Sequence, residues 1–553
     1  MTDHLTIALA QINPTVGDLA GNLVKIHKAY REAAEAGADL VIASELVVTG
    51  YPPEDLVLKP SFQAAVKEAV RSLVADLRED GPGLLVGAPW REGDALYNAA
   101  LLLEKGKIAS VRFKHDLPNY GVFDEGRIFS PGPLPGPMNF RDVRLGVMVC
   151  EDMWKPDVTE CLSESGAEIL VVLNSSPFEV DKPDKRLNLA VARGVESGLP
   201  LLYVNQVGGQ DELVFDGSSF VLRHDRNLAA RACDWREEIL LTRWRRHTGV
   251  WLCEPGPVAK GTEGLEAIYQ ALLLALRDYV AKNGFPGVLI GLSGGIDSAL
   301  TAALATDALG ADRVHGVRMP SPYTSKESLE DAEMLAKNLG IRLDTVSIEP
   351  AMGAFDSMLR DLFVERPADA TEENIQARAR GMTLMALSNK FGYLVLSTGN
   401  KSEMSVGYAT LYGDMAGGFA ILKDVYKTTV YGLSRWRNAH FPEGSLGPKG
   451  AVIPERVLTK APTAELKPNQ RDQDTLPPYA ALDDILCCLI EKDMSVDEIA
   501  ARGHDRETVS RVWRMLDVAE YKRRQAPPGV KITSRSFGRD RRYPITNRYK
   551  GLA

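Results

Sequence analysis

The 553-residue sequence has no run of about 18 apolar residues, so no transmembrane helix is expected. Its start, Met1-Thr2-Asp3-His4, carries neither the basic nor the apolar region of a signal peptide. Cysteine is scarce. Cys150, Cys161, Cys233, Cys253, Cys487 and Cys488 include no C-x-x-C pair, so neither a zinc knuckle nor a disulfide scaffold is expected. A cytoplasmic setting fits, with a thiol free for catalysis. Positive charge is short too. A formal net charge of −9 gives no reason to expect nucleic acid as a partner. What is left is an ordinary soluble composition in a chain too long for one core, so two or three domains are expected.

One stretch stands out. Val288-Leu289-Ile290 reads as a buried strand and Ala299 to Ala305 as a helix. Between them lie Gly291, Leu292, Ser293, Gly294, Gly295, Ile296, Asp297 and Ser298. Strand, small-residue turn and helix aim backbone N–H groups at an anion. The spacing matches neither a Walker loop nor Gly-x-Gly-x-x-Gly. Ser293, Ser298 and the loop amides can hold a leaving pyrophosphate, and Asp297 can hold Mg²⁺. The Ser-Gly-Gly-x-Asp-Ser pattern resembles the pyrophosphate loop of ATP pyrophosphatases. That resemblance implies cleavage of ATP to AMP and pyrophosphate.

In the first half, strand signals recur at Leu5–Ile12, Ala38–Ala43, Leu84–Gly87, Asn98–Leu103, Val143–Val149, Ile169–Asn174 and Leu201–Asn205. Asp18 is a plausible N-cap for a helix reaching about Ala36. Glu104-Lys105-Gly106-Lys107 reads as a hairpin turn. Three residues sit at strand ends: Glu45, Lys114 and Cys150. A base, a cation for a developing oxyanion and a thiol nucleophile together suggest acyl transfer. The same order, with Lys114-His115-Asp116-Leu117-Pro118-Asn119-Tyr120 and Cys150-Glu151-Asp152, is similar to the nitrilase, or carbon–nitrogen hydrolase, superfamily over residues 5–245. The resemblance implies an α-β-β-α sandwich, with Glu45 as base, Lys114 as oxyanion partner, Cys150 as nucleophile and Glu125 as support. It also implies glutamine binding by Tyr120, Ser176 and Lys182, with Lys185 as the alternative to Lys182.

A Gly/Pro-rich connector over 247–264 separates a domain at 1–246 from one at 265–553. The second half alternates strand and helix signals, which predicts a doubly wound parallel sheet with its ligands at the strand C-termini. Thr398-Gly399-Asn400-Lys401-Ser402-Glu403 lies at one such end, where Glu403 is a candidate second Mg²⁺ ligand beside Asp297. Helix-face charges Glu330, Asp331 and Glu333 are expected to face solvent. The tail cations Lys522, Arg523, Arg524, Lys531, Arg535, Arg539, Arg541 and Arg542 form either a phosphate-facing wall or a solvated surface.

These pieces, with Glu373 to Arg380, Pro462 to Leu466 and Lys531-Ile532-Thr533, resemble the NAD⁺ synthetases, in their glutamine-dependent form, over about 265–553. The resemblance implies an ATP-dependent carbon–nitrogen ligase using glutamine, deamido-NAD⁺ and ATP, with Mg²⁺ and no prosthetic group. Thr398, Lys427 and Thr463 are the implied further ATP contacts, with Lys423 as the alternative to Lys427. Asn374, Arg378, Glu403 and Lys531 are the implied deamido-NAD⁺ contacts. A homo-oligomer is implied too. Asparagine synthetase would need an N-terminal cysteine, and position 2 is Thr. GMP synthetase would need a distant Cys/His pair, and no such His stands out. A non-catalytic nitrogen sensor would have no need of Cys150.

Overall fold

The computed structural model describes residues 3–468 and 470–549. The chain forms two compact units that divide between Thr262 and Glu263.

The first unit is built on two sheets. One has seven strands in the order Val250–Cys253, Glu238–His247, His4–Gln11, Leu40–Ala43, Gly83–Glu92, Ala95–Glu104 and Lys107–Phe113. The other has six, in the order Leu228–Arg231, Phe220–Leu222, Leu201–Asn205, Ile169–Asn174, Val143–Val149 and Met138–Phe140. Alternation along the strands assigns each side chain to a layer. Leu5, Ile7 and Leu9 join Val147, Ile169 and Val171 in the central core. Ala8 and Ala10 face outward and meet Ile26 and Ala29 of helix Leu19–Glu35 and Val66 and Val70 of helix Pro60–Asp76. Helices Pro156–Glu164 and Lys182–Ser197 cover the other sheet through Val158, Leu162 and Ala190. This is the α-β-β-α sandwich. With both faces of each sheet covered, the strands read as continuous apolar runs rather than as alternating ones. Each buried Leu or Ile contributes roughly 1.5–3 kcal/mol. Asp18 caps the first helix by accepting from the Gly21 N–H at 2.9 Å.

The expected connector includes a strand. Val250–Cys253 pairs antiparallel with Glu238–His247 as the edge strand of the larger sheet. The turn uses left-handed backbone at Thr248 (φ 46°) and Gly249 (φ 83°), which a glycine accepts without strain.

The second unit has a five-stranded, all-parallel sheet ordered Arg342–Thr345, Val314–Arg318, Val288–Gly291, Leu394–Ser397 and Phe419–Ala420. The chain winds outward one way from Val288–Gly291 and then restarts on its other side. That reversal opens a crevice beyond the carboxyl ends of Val288–Gly291 and Leu394–Ser397. Helix Ile296–Leu309 rises from the crevice, and Asp297 is its one residue that is not buried. A separate helical core, including Leu482, Ile485, Ile499, Val509 and Val512, carries the C-terminal part.

Candidate active sites

In the first unit, Glu45 follows strand Leu40–Ala43, Lys114 follows Lys107–Phe113, and Cys150 opens a short 3-10 turn after Val143–Val149. All three are buried. The Lys114 ammonium donates at 2.8 Å to Glu45 Oε1 and at 2.9 Å to both Glu125 oxygens. Burial raises the Glu45 carboxyl above its ordinary range, against the pull of Lys114. Burial opposes the Lys114 charge, but Glu125 and Glu45 outweigh it and hold that lysine protonated. Burial, reinforced by the Glu45 charge, pushes the Cys150 thiol well up. A thiol in that state is a nucleophile only after a base removes its proton. Cys150 itself sits at φ 45°, a left-handed conformation that costs about 1–3 kcal/mol for a non-glycine residue.

The residues that hold this group in place come from several parts of the first unit. Asp152 accepts from the N–H groups of His115 (2.9 Å), Asp116 (2.8 Å) and Val149 (2.9 Å). One carboxylate thus fixes the chain just after Lys114 and just before Cys150. Ser175 donates its N–H to Glu45 Oε2 at 3.0 Å and its hydroxyl to the Glu45 carbonyl at 2.9 Å. The Tyr51 hydroxyl donates to Glu125 at 2.9 Å, and the Asn98 side chain reaches both carboxylates. Only the position of Asp152 in Cys-Glu-Asp carried a signal. The others lie on strands and loops whose meeting is a tertiary fact.

The expected glutamine contacts surround this group unevenly. Tyr120 is half exposed, and its hydroxyl donates to Glu151 at 3.1 Å. Ser176 is buried, with its N–H donating to Asn205 Oδ1 at 3.0 Å. Lys182 is buried against the Phe123 ring, whereas Lys185 is exposed.

In the second unit, one cavity at the crevice is lined by Gly291, Leu292, Ser293, Gly295, Ile296, Asp297 and Ser298, together with Thr398, Glu403, Lys427 and Thr463. Gly294 lies behind the loop. It needs φ 78°, and a Cβ there would meet the Ser328 carbonyl oxygen at 2.3 Å. The Ser293 and Ser298 hydroxyls lie 3.2 Å apart. The Lys427 ammonium bridges Asp297 (2.5 Å) and Glu403 (3.0 Å). Asn400 caps the short helix by accepting from the Glu403 N–H at 3.0 Å, and it donates to Asp297 at 2.8 Å. Burial pushes the Glu403 carboxyl up to about 7, with Lys427 opposing and Asp297 adding to it. Lys423 is buried but is not among the lining residues.

Three expected dinucleotide contacts do not line this cavity. Asn374 accepts from the Thr410 hydroxyl at 2.9 Å, and exposed Arg378 donates to the Leu411 carbonyl at 3.2 Å. Lys531 is buried, 2.9 Å from Asp540 and donating to the Thr533 carbonyl at 2.6 Å. Two surface expectations are corrected. Asp331 is buried, taking Arg456 at 2.7 Å and Lys460 at 3.2 Å, because these cations hold the cavity-lining loop onto its helix. The tail cations are not one surface: Arg523, Lys531 and Arg541 are buried, whereas Arg524, Arg539 and Arg542 are exposed. Arg523, Arg524 and Arg541 converge on Glu520, and Lys522 donates to the Gly407 and Ala409 carbonyls.

Comparison with known proteins covers both units. The carbon-nitrogen hydrolase family model matches residues 6–248, and the NAD synthase family model matches 268–526. A glutamine-dependent NAD(+) synthetase of Rhodobacter capsulatus is 48% identical over 550 residues, spanning 100% of both chains. One from Thermotoga maritima is 45% identical over 585 residues, spanning 99% of each. The solved structure of the glutamine-dependent NAD+ synthetase from Acinetobacter baumannii, in complex with ADP, is 44% identical with a TM-score of 0.78, covering 98% of this chain and 99% of that one.

Proposed function

The chain belongs to the glutamine-dependent NAD(+) synthetases, and on that premise we propose how its two sites divide the work. It is a ligase that takes its amido nitrogen from glutamine. In the first unit, Glu45 accepts the Cys150 proton and the thiolate attacks the side-chain amide carbon of glutamine. Lys114 stabilises the oxyanion, ammonia leaves, and water cleaves the thioester to glutamate. The observation that carries this reading is the buried Lys114 ammonium gripped by Glu45 and Glu125 beside a thiol that burial keeps protonated. Tyr120, Ser176 and Lys182 are the proposed glutamine contacts. Glu151, beside the nucleophile and bonded to the Tyr120 hydroxyl, offers a carboxylate for the substrate's α-ammonium.

In the second unit, the nicotinate carboxylate of deamido-NAD⁺ attacks the α-phosphate of ATP. Pyrophosphate leaves into the Ser293–Ser298 loop, and ammonia displaces AMP to give NAD⁺. The loop amides, Thr398, Lys427 and Thr463 are the proposed ATP contacts. Asn374, Arg378, Glu403 and Lys531 are the proposed deamido-NAD⁺ contacts, of which Glu403 lines the ATP cavity and the other three lie outside it. Asp297 and Glu403 already converge on one cation, the Lys427 ammonium. Two carboxylates are the donor set Mg²⁺ takes before phosphate oxygens and water complete its shell. They are the residues that would hold it, and there it would offset the charge on the departing pyrophosphate.

We also propose a cytoplasmic homo-oligomer. All six cysteines are free, and among the described residues no helix is long and apolar enough to cross a membrane. In the second unit, helix Glu349–Leu359 buries none of its residues, and Met358, Leu362, Val364 and Met382 are each more than 60% exposed. Apolar surface of this kind calls for a covering partner, and a second copy is the proposed one. Leu362→Asp should lower the sedimenting mass.

The deciding assay measures NAD⁺ and AMP from deamido-NAD⁺ and ATP, with glutamine or ammonium as donor. Cys150→Ala is expected to lose the glutamine reaction and keep the ammonium one. If ammonium fails to rescue it, the division into two sites is wrong.

A further inference from the structure

We infer that Asn98 is a positioning residue for glutamine hydrolysis: its amide nitrogen ties the Glu45 and Glu125 carboxylates together and orients Glu45 to take the Cys150 proton. The inference rests on the glutaminase reading of the first unit. Asn98 lies in the middle of strand Ala95–Glu104 and is completely buried. Its Nδ2 donates to Glu45 Oε1 at 2.8 Å and approaches Glu125 Oε2 at 3.3 Å. Its backbone carbonyl accepts the Lys114 N–H at 2.8 Å. One residue thus touches all three charged members of the group: the lysine through the main chain, and the two glutamates through the side chain.

The orientation of the amide follows from charge. Turned the other way, its oxygen would face two carboxylates. With the nitrogen inward, Oδ1 is buried without a hydrogen-bond partner. Among the described residues no group satisfies that oxygen, so the polar contacts of the Asn98 side chain are those of its nitrogen. Glu45 and Glu125 carry two negative charges against the one positive charge of Lys114. A neutral side chain presenting two N–H groups on one edge steadies both carboxylates without adding charge. Aspartate, of the same size, would put a third anion in their place. Alanine would leave Glu45 Oε1 held by Lys114 alone.

Hydrogen bonds donated to a carboxylate favour its ionised form, so removing one makes Glu45 harder to ionise. The test compares wild type, Asn98→Ala and Asn98→Asp across pH, with glutamine and with ammonium as donor. In Asn98→Ala, the kcat for glutamine-dependent NAD⁺ formation should fall by about 10- to 100-fold with little change in the glutamine KM. The rising, acid-side limb of its pH profile should move to higher pH, and further in Asn98→Asp. Ammonium-driven synthesis should keep its wild-type rate in both. An acid limb at the wild-type pH in either variant overturns the inference. So does a loss confined to KM. If alanine prevents folding, the equal-sized aspartate variant decides alone, and an aspartate variant that also fails to fold makes Asn98 a structural residue and overturns the inference. Absence of glutamine-dependent synthesis in wild type would instead remove the glutaminase reading itself.

Discussion

Asp152 shows how one side chain can register a whole site. Its carboxylate gathers three backbone N–H groups from two strand ends, yet burial still raises it to about 6, because desolvation outweighs those donors. In Asp152→Asn, an amide N–H₂ replaces one of the two accepting oxygens and faces a backbone donor. A loss of about 1–3 kcal/mol is expected, read as a lower thermal midpoint of the first unit. The glutamine reaction should fall with it while the ammonium reaction holds. The pH dependence has a definite sign. The folded value lies above the unfolded one, so the contribution of Asp152 is complete below about pH 4 and fades as pH rises through about 6. The stability gap between wild type and Asp152→Asn should therefore narrow from pH 4 to pH 6. In the second unit, Asp297→Ala removes the acceptor shared by Lys427 and Asn400. It is expected to abolish NAD⁺ formation with either donor. Full activity in that variant would remove the proposed cation role.

At the scale of elements, the loop over the crevice cavity is held by charge at the foot of a helix. Glu465 accepts from the Ser325 (2.7 Å) and Ser328 (2.8 Å) hydroxyls at the start of helix Lys326–Leu339. Asp331 on that helix holds Arg456 and Lys460. Asp331→Ala leaves Lys460 without its anion and Arg456 with Glu330 alone, and loosens the loop. The ATP KM should rise several-fold while glutamine hydrolysis is unchanged. An unaltered ATP KM would assign the pair to stability alone. Asp331 also marks the limit of what the sequence reveals. Strands buried on both faces announce themselves as apolar runs, and Ser-Gly-Gly-x-Asp-Ser announces its loop, because both are local signals. Asp331 reads as one more charge beside Glu330 and Glu333, yet it lies on the buried face of its helix with Ser328, Ala332 and Leu335, and the cations that pair it there, Arg456 and Lys460, are more than 120 residues away. The tail arginines are hidden for the same reason. Glu520 alone does not predict that it will gather three of them. Strand Val250–Cys253 was masked by the glycines and prolines around it, since its pairing depends on Glu238–His247 rather than on its own composition. Lys114, Glu45 and Cys150 were legible as strand-end residues, but Asn98, Ser175 and Tyr51 were not, because their roles exist only once the strands are assembled.

At the scale of the molecule, joining the two units in one chain supplies the two proposed sites in fixed one-to-one proportion. Ammonia in bulk water near neutral pH is mostly ammonium, which has no lone pair with which to attack an acyl adenylate. Nitrogen that escaped to solvent would therefore be largely lost to the reaction, so a covered transfer would raise the yield per glutamine consumed. This can be measured without any mutation. Wild-type protein is given unlabelled glutamine, deamido-NAD⁺ and ATP together with ¹⁵N-ammonium, and the label in NAD⁺ is read by mass spectrometry. Transfer without release predicts NAD⁺ carrying almost entirely glutamine nitrogen, even with ammonium in excess. Label in proportion to the free ammonium pool would show that the two reactions share only a chain. Cys150→Ala supplies the internal control, because its NAD⁺ should be fully labelled. The same labelled experiment on Asp152→Asn then separates a slower glutaminase from a leaking one. A lower rate with unlabelled product places the defect in the Cys150 chemistry, and labelled product places it in the transfer.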